Sequence, residues 1–236
     1  MLQRQHDDGL FFQHDPTQRL DDARMRALPG GERRYLQPQG PMGLALLDLY
    51  RVTAEARWLE TAERLAAGLR ELEDLEHGGF WATDDPSMPT FAGRRKPLAA
   101  NAMAARFLYE LGVYTKDTNA AQRAERALRV ISAPEILRPE GRLVGELALA
   151  LEWMTAGAVE ISLLGDPAAA ETRALRSAAI STYEPRKVLH YESTERYPDP
   201  GHPVLYVCSD EVCSSPVADP ARVAEVVAGF AHNRAE

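Results

Sequence analysis

The sequence predicts a mainly α-helical protein: a series of helical hairpins that stack as a solenoid or an α/α toroid, followed by a small α/β appendage. Three observations carry this. First, the chain repeats itself. Ala62-Glu63-Arg64 returns as Ala124-Glu125-Arg126, and at that offset of 62 Leu59, Ala62, Ala66 and Leu69 fall on Ala121, Ala124, Leu128 and Ile131. Both sets follow i, i+3, i+7, i+10, which is one face of an α-helix. Second, the preceding helices also match, Leu49 and Thr53 landing on Leu111 and Thr115. A repeated helical pair buries its apolar faces only by stacking on neighbours. Third, the pattern changes near Gly157 from helical periodicity to short apolar runs flanked by turn residues, which read as strands.

Residues 1–40 read as loop, punctuated by Gly30-Gly31, Pro38 and Pro41. A first helix is expected over about 41–53. Its Met42, Leu44, Leu46, Leu47, Leu49 and Tyr50 leave little polar surface, as in an inner, buried helix. A second, about 57–72, alternates apolar residues with Glu60, Glu63, Arg64 and Arg70, as in an outer helix. A loop at His77-Gly78-Gly79 leads to a third helix, about 98–114, with Met103, Phe107, Leu111 and Tyr114 on one stripe. The fourth is expected over about 119–131. The fifth, about 141–156, runs through Leu143, Leu147, Leu151 and Trp153. This alternation of inner and outer helices is the arrangement of an α/α toroid, and it defines a first domain, 1–157.

The second domain, 158–236, reads as α/β. Strands are expected at Val159–Gly165, Lys187–Tyr191 and Pro203–Cys208. Asp166-Pro167 supplies an N-cap and a first-turn proline for a helix through Leu175 and Ile180, and Asp219-Pro220 does so for a last helix through Val223, Val226 and Phe230. Two strands joined by a helix suit parallel pairing.

Composition narrows the classes. The chain has 236 residues, 45% of them apolar, and a net charge of −8. The charge argues against general nucleic-acid binding, which needs a basic face. No apolar run approaches the roughly 20 residues of a membrane span, and the first residues have no hydrophobic signal core, so a cytoplasmic location is expected. The six histidines are scattered with no metal-binding motif, and no phosphate-loop pattern is present; neither a metal nor a cofactor is expected.

The candidate site lies in the repeated loops. Gly9-Leu10-Phe11-Phe12-Gln13-His14-Asp15-Pro16 parallels Gly79-Phe80-Trp81-Ala82-Thr83-Asp84-Asp85-Pro86 at an offset of 70. Aromatic rings stack on sugar faces and carboxylates serve as general acid and base. On this reading Phe80 and Trp81 form a platform, and His14, Asp84 and Asp85 handle protons. The other reading is that the aromatics pin the loops to the helix ends while the Asp-Pro pairs cap turns. Arg94, Arg95 and Lys96 precede the third helix, as Arg33 and Arg34 precede the first. They either bind a phosphate or sugar acid or neutralise the acidic loops. Asn101, inside an apolar helix, needs hydrogen-bond partners, so it either holds a loop or points into a pocket. Cys208 and Cys213, with four residues between them, have the wrong spacing for a thioredoxin-like dithiol. They read as small buried thiols at a strand end, with a reversible disulfide as the alternative.

Three stretches resemble a known family. They are His77-Gly78-Gly79-Phe80-Trp81 with Asp84-Asp85; Arg95-Lys96-Pro97-Leu98-Ala99-Ala100-Asn101-Ala102; and Leu163-Leu164-Gly165-Asp166-Pro167 through Thr172-Arg173, with Tyr206-Val207-Cys208, Cys213-Ser214, Pro216-Val217 and Asp219-Pro220. Together they resemble the C-terminal part of the thioredoxin-domain-containing proteins of the spermatogenesis-associated protein 20 type. The resemblance implies a six-hairpin, glycosidase-like α/α toroid. This sequence has no thioredoxin domain and no Cys-x-x-Cys, and the family's acidic residue before the asparagine is Ala99 or Ala100. A ring of six hairpins needs a longer chain than this, so an incomplete toroid is expected. Two function classes follow. One is a non-catalytic interaction or assembly subunit whose toroid is completed by another protein chain or by self-association. The other is a carbohydrate-binding or carbohydrate-active protein, a sugar epimerase, isomerase or hydrolase, with its pocket at the aromatic-acidic loops.

Overall fold

A computed structural model describes residues 5, 7–12, 34–84, 95–192, 197, 201–209 and 212–232. The chain forms two compact units: 1–48 with 56–151, and 49–55 with 152–236.

The two expected helix pairs are present as α1 (Gln39–Thr53) with α2 (Ala56–Gly68) and α3 (Leu98–Thr115) with α4 (Thr118–Ile131), α1 leaving the first unit after Asp48. A 3-10 turn, Leu69–Leu72, tightens the end of α2. Two further helices follow, α5 (Pro134–Glu140) and α6 (Gly145–Ala156); sequence periodicity missed α5, a single short segment with Pro139 inside it. α3 is buried along most of its length, from Leu98 to Tyr114, whereas α4 buries one stripe, Ala120, Ala124, Ala127, Leu128 and Ile131.

The repeat extends to backbone detail. Ala54 and Lys116, which are 62 residues apart, are the non-glycine residues with positive φ, at 62° and 58°, among those described. Each closes the first helix of its pair and lets the chain turn into the second. Before each, a threonine hydroxyl turns back onto its own helix: Thr53 Oγ1 donates to Leu49 O (2.8 Å) and Thr115 Oγ1 to Leu111 O (2.9 Å). Asp117 then caps α4, its carboxylate accepting from Asn119 N–H at 2.8 Å. Between α1 and α3 the backbones meet. A Cβ on Gly40 would lie 2.7 Å from Ala104 N, and one on Gly43 would lie 2.4 Å from the Phe107 ring. Only glycine permits that approach.

The second unit holds a four-stranded sheet in the order β2-β1-β3-β4. β1 (Val159–Leu164) and β2 (Lys187–Glu192) are parallel, joined through α7 (Ala170–Ser181). β3 (Val204–Ser209) runs antiparallel to β1, and the short β4 (Val212–Cys213) antiparallel to β3. Val159, Ile161, Leu163, Leu189, Leu205 and Val207 pack with Leu175 and Ala179 of α7 and with Val223 and Val227 of α8 (Val223–His232). The alternate residues Leu164, Val204, Tyr206 and Cys208 form a smaller cluster with Tyr197. Lys187 is buried and donates to Ala179 O (2.9 Å), Ile180 O and Thr182 O, satisfying the last carbonyls of α7. Burial, with Arg51 nearby, lowers its pKa against the pull of Glu184. Arg186 joins the segment before β1 to α8: Nη1 donates to Ala156 O (3.1 Å) and Gly157 O (3.2 Å), Nη2 to Ala231 O (3.4 Å), and Nε lies 3.2 Å from Glu184.

Two expectations need correction here. Asp219-Pro220 opens a 3-10 turn leading into α8, with Asp219 capping Ala221 N–H at 2.9 Å. Asp166-Pro167, by contrast, forms a separate turn, and α7 starts only at Ala170. Asp166 spends its carboxylate on Ala168 N–H (2.9 Å) and its carbonyl on Ala169 N–H (3.0 Å). The cysteines are joined as a Cys208–Cys213 disulfide rather than standing as buried thiols. The reason is the β3–β4 pairing, which sets the two residues directly opposite, Cα to Cα 4.1 Å apart; β4 is too short to register as a strand in the sequence.

Candidate functional site

The repeated loops are built around a buried phenylalanine and an amide clamp. In the second copy, Glu73 and Phe80 face each other across a narrow turn. The neighbouring residues carry the turn's hydrogen bonds, Asp74 N–H to Gly79 O and Trp81 N–H to Leu72 O, both 2.8 Å. The Phe80 backbone is therefore turned to Asn101: its N–H donates to Asn101 Oδ1 (2.7 Å), and Asn101 Nδ2 donates to Phe80 O (3.0 Å). The second Nδ2 hydrogen goes to Pro97 O (2.9 Å). Both donors of this fully buried amide are thus occupied.

The first copy repeats the device. Gln5 faces Phe11. Phe11 N–H donates to Gln39 Oε1 (2.8 Å), while Gln39 Nε2 donates to Phe11 O (2.9 Å) and Tyr35 O (2.7 Å). Gln39 and Asn101 stand 62 residues apart, the helical offset. The loop alignment is thereby corrected from 70 to 69: Phe11 corresponds to Phe80, not to Trp81. The glycines agree. Gly9 (φ 90°) lies against the Arg64 backbone and Gly78 (φ 82°) against that of Arg126.

Charge follows the same scheme. Arg34 and Lys96, again 62 apart, each meet an aspartate: Arg34 Nε to Asp8 Oδ2 (2.5 Å) and Lys96 Nζ to Asp74 Oδ2 (2.7 Å). Lys96 also donates to Gly78 O (2.6 Å) and lies 4.5 Å from the centre of the Trp81 ring. Burial alone would raise the Asp74 pKa, but hydrogen bonds from Lys96 and from the N–H groups of His77 and Glu76 bring it down to about 2. Asp8's hydrogen bond, with the nearby charges of Asp84 and Glu71, raises the Arg34 pKa against the opposing effect of burial. Glu73 receives Arg123 Nε (2.8 Å) and Arg126 Nη2 (3.0 Å), and Arg123 Nη1 donates to Ala66 O (2.9 Å), tying α4 to the end of α2.

The sequence-derived candidates divide as follows. His14, Asp85 and Arg94 lie outside the described residues, as does Arg33. Phe80 is fully buried, its ring packed in the core, while Trp81 is half-buried beside Lys96. Asp84 is exposed; its carboxylate accepts from Arg34 N–H (3.2 Å) and Thr83 Oγ1 (3.2 Å). Arg95 is exposed, and its carbonyl accepts from Ala82 N–H at 2.9 Å. Lys96 and Asn101 are drawn into the loop's own bonding. Asp8, Asp74 and Gln39 were not singled out in the sequence, although the offset of 62 from Asn101 points to Gln39. Among the described residues no three His, Cys, Asp or Glu side chains gather as a metal site, and no helix is long and apolar enough to cross a membrane.

Comparison with known proteins adds one relation. Spermatogenesis-associated protein 20 from Homo sapiens is 26% identical to this chain over 205 residues. The Rattus norvegicus protein of the same name is 26% identical over 206 residues, and the Mus musculus protein 26% over 205. The chain is a distant relative of these proteins. The matches cover 77% of this chain but about a quarter of each relative. No family model matches the sequence.

Proposed function

We propose that this chain is a non-catalytic interaction or assembly subunit built on a shortened six-hairpin, glycosidase-like scaffold, with residues 1–157 as the partial toroid and 158–236 as the α/β appendage. The observation that carries the reading is the apolar surface around α6. Leu149 and Leu151 are 42% and 39% exposed, and Leu143, just before the helix, is 77% exposed. A helix that is apolar on several faces and open to solvent is an unfinished packing surface. The loop end supports the same reading, because Lys96, Asp74 and Asn101 are occupied in holding the loop, and alanine stands at positions 99 and 100. The partner in this reading is a second copy or another chain that completes the ring.

The test is the assembled state, measured by light scattering on the purified chain and on Leu149→Glu and Leu151→Glu variants. An oligomer or a captured complex that the glutamates dissolve, with helicity retained, supports the proposal. A monomer at micromolar concentration that binds no partner refutes it. The alternative, a carbohydrate-binding or carbohydrate-active protein, rests on Trp81 standing half-buried in the loop that ends at the exposed Asp84. A saturable change in tryptophan fluorescence on adding a sugar, lost in Trp81→Phe, would favour it.

A further inference from the structure

The disulfide differs in its surroundings from a bond that merely staples a core. Cys208 is 6% exposed and lies in the small cluster with Tyr206, Leu164 and Val204, whereas Cys213, on a two-residue edge strand, is exposed. One sulfur is shielded and the other belongs to a residue that solvent reaches. The shielded sulfur has a polar neighbour. Tyr197 Oη lies 3.9 Å from Cys208 Sγ. That hydroxyl donates to Ser162 Oγ at 2.9 Å, and its ring stacks on Tyr206 at 4.6 Å.

We propose that Cys208–Cys213 is a thiol–disulfide exchange site, attacked at Cys213 by an external dithiol. The attacking thiolate forms a new S–S bond with Cys213 Sγ. The Cys208–Cys213 bond breaks, and its electron pair leaves with Cys208, which takes up a proton from solvent. The second thiol of the dithiol then attacks its own sulfur in the mixed disulfide and releases Cys213 as a thiolate. The dithiol is oxidised by two electrons and the cysteine pair is reduced by two. Exchange is faster when the leaving thiolate is stabilised, and the Tyr197 hydroxyl does this when its proton turns from Ser162 Oγ to the charged sulfur 3.9 Å away. Tyr197 is thus a positioning residue that favours Cys208 as the leaving group.

The fold also makes the step reversible. Past Cys213 the chain stays paired to β3 without the disulfide: Ser214 N–H donates to Val207 O (2.8 Å), Val207 N–H to Ser214 Oγ (3.1 Å), and Leu205 and Val217 exchange both backbone bonds at 3.0 and 2.9 Å. These contacts keep the two cysteines opposite each other after reduction, so re-oxidation is an intramolecular closure between prepositioned groups.

The experiment treats the full chain with dithiothreitol in native buffer, quenches with iodoacetamide, and follows modification by mass while circular dichroism monitors the fold. The expected result is two alkylated cysteines with the fold retained. Reduction only in urea concentrations that unfold the chain would overturn the proposal. Single-cysteine variants locate the attack. Cys208→Ser, which leaves Cys213, should react with dithiobis(nitrobenzoate) roughly tenfold or more faster than Cys213→Ser, which leaves Cys208; equal or reversed rates would overturn it. Tyr197→Phe should slow reduction of the native disulfide severalfold, whereas Ser162→Ala, which loses the same Tyr197–Ser162 hydrogen bond but keeps the phenol, should not slow it. An unchanged rate would overturn the tyrosine's part in the step.

Discussion

Replacing Asn101 by alanine separates a loop-holding amide from a ligand-binding one. The substitution removes both bonds to the Phe80 backbone. Nothing nearby replaces them, because Leu72, Asp74, Gly79 and Trp81 already pair among themselves. The Pro97 carbonyl keeps a partner, since Asn101 N–H reaches it at 3.0 Å whatever the side chain. Two buried backbone groups are then orphaned, each costing about 1–3 kcal/mol, and a loss of about 4 kcal/mol is expected. Asn101→Asp keeps the acceptor but loses the donors, so about half that loss follows, together with the cost of any buried charge. Gln39→Ala should match Asn101→Ala, because the first copy makes the same pair of bonds to Phe11. The assay is urea unfolding followed by tryptophan fluorescence, with Trp81 adjoining the clamped residue. A lower midpoint at unchanged slope reads as lost stability. A loss below about 1 kcal/mol for Asn101→Ala, or a large loss there with none for Gln39→Ala, would refute the clamp and the repeat that predicts it.

Glycine substitutions should split in sign. Gly40→Ala drives a Cβ to 2.7 Å from the α3 backbone, which has no flexible end to move; a loss of about 3 kcal/mol is expected in thermal or urea unfolding. Gly229→Ala, inside α8 with nothing within 4 Å of the new Cβ, should gain about 0.5–1 kcal/mol and raise Tm. Asp74 gives a pH dependence. Its pKa is lowered from 3.8 to about 2 in the folded state, so its stabilisation is complete above about pH 4 and is lost as the pH falls toward about 2. The stability difference between the parent and Asp74→Asn should therefore shrink by about 1–2 kcal/mol across that window, below the full linkage value because the loop borders solvent at His77, 67% exposed. Arg186→Met should destabilise the α/β unit by about 3 kcal/mol, since the carbonyls of Ala156, Gly157 and Ala231 lose the guanidinium donor and Glu184 loses its counter-charge, keeping only the Arg186 backbone N–H; a change under about 1 kcal/mol, read by chemical denaturation, would refute this.

The sequence by itself determined the helical hairpins and the three longer strands. Their signal is periodic and local: apolar residues return every third or fourth position in α2 and α4, and short β-rich runs between turn residues mark β1, β2 and β3. It also held the equivalence of the two copies, because a fixed offset survives even where residue types differ, as with Gln39 and Asn101 or Arg34 and Lys96. Tertiary structure decided how those residues are used. Whether an asparagine in an apolar helix meets a ligand or a loop depends on which backbone groups lie across from it, and here Phe80 arrives from 21 residues away in sequence. Loop register, fixed by the glycines lying against Arg64 and Arg126, is a matter of close backbone approach that no side-chain pattern records. The cysteines show the same limit. Four intervening residues neither require nor forbid a bond; pairing β4 onto β3 brings the two sulfurs together, and a two-residue strand has too little pattern to be seen before the chain is folded.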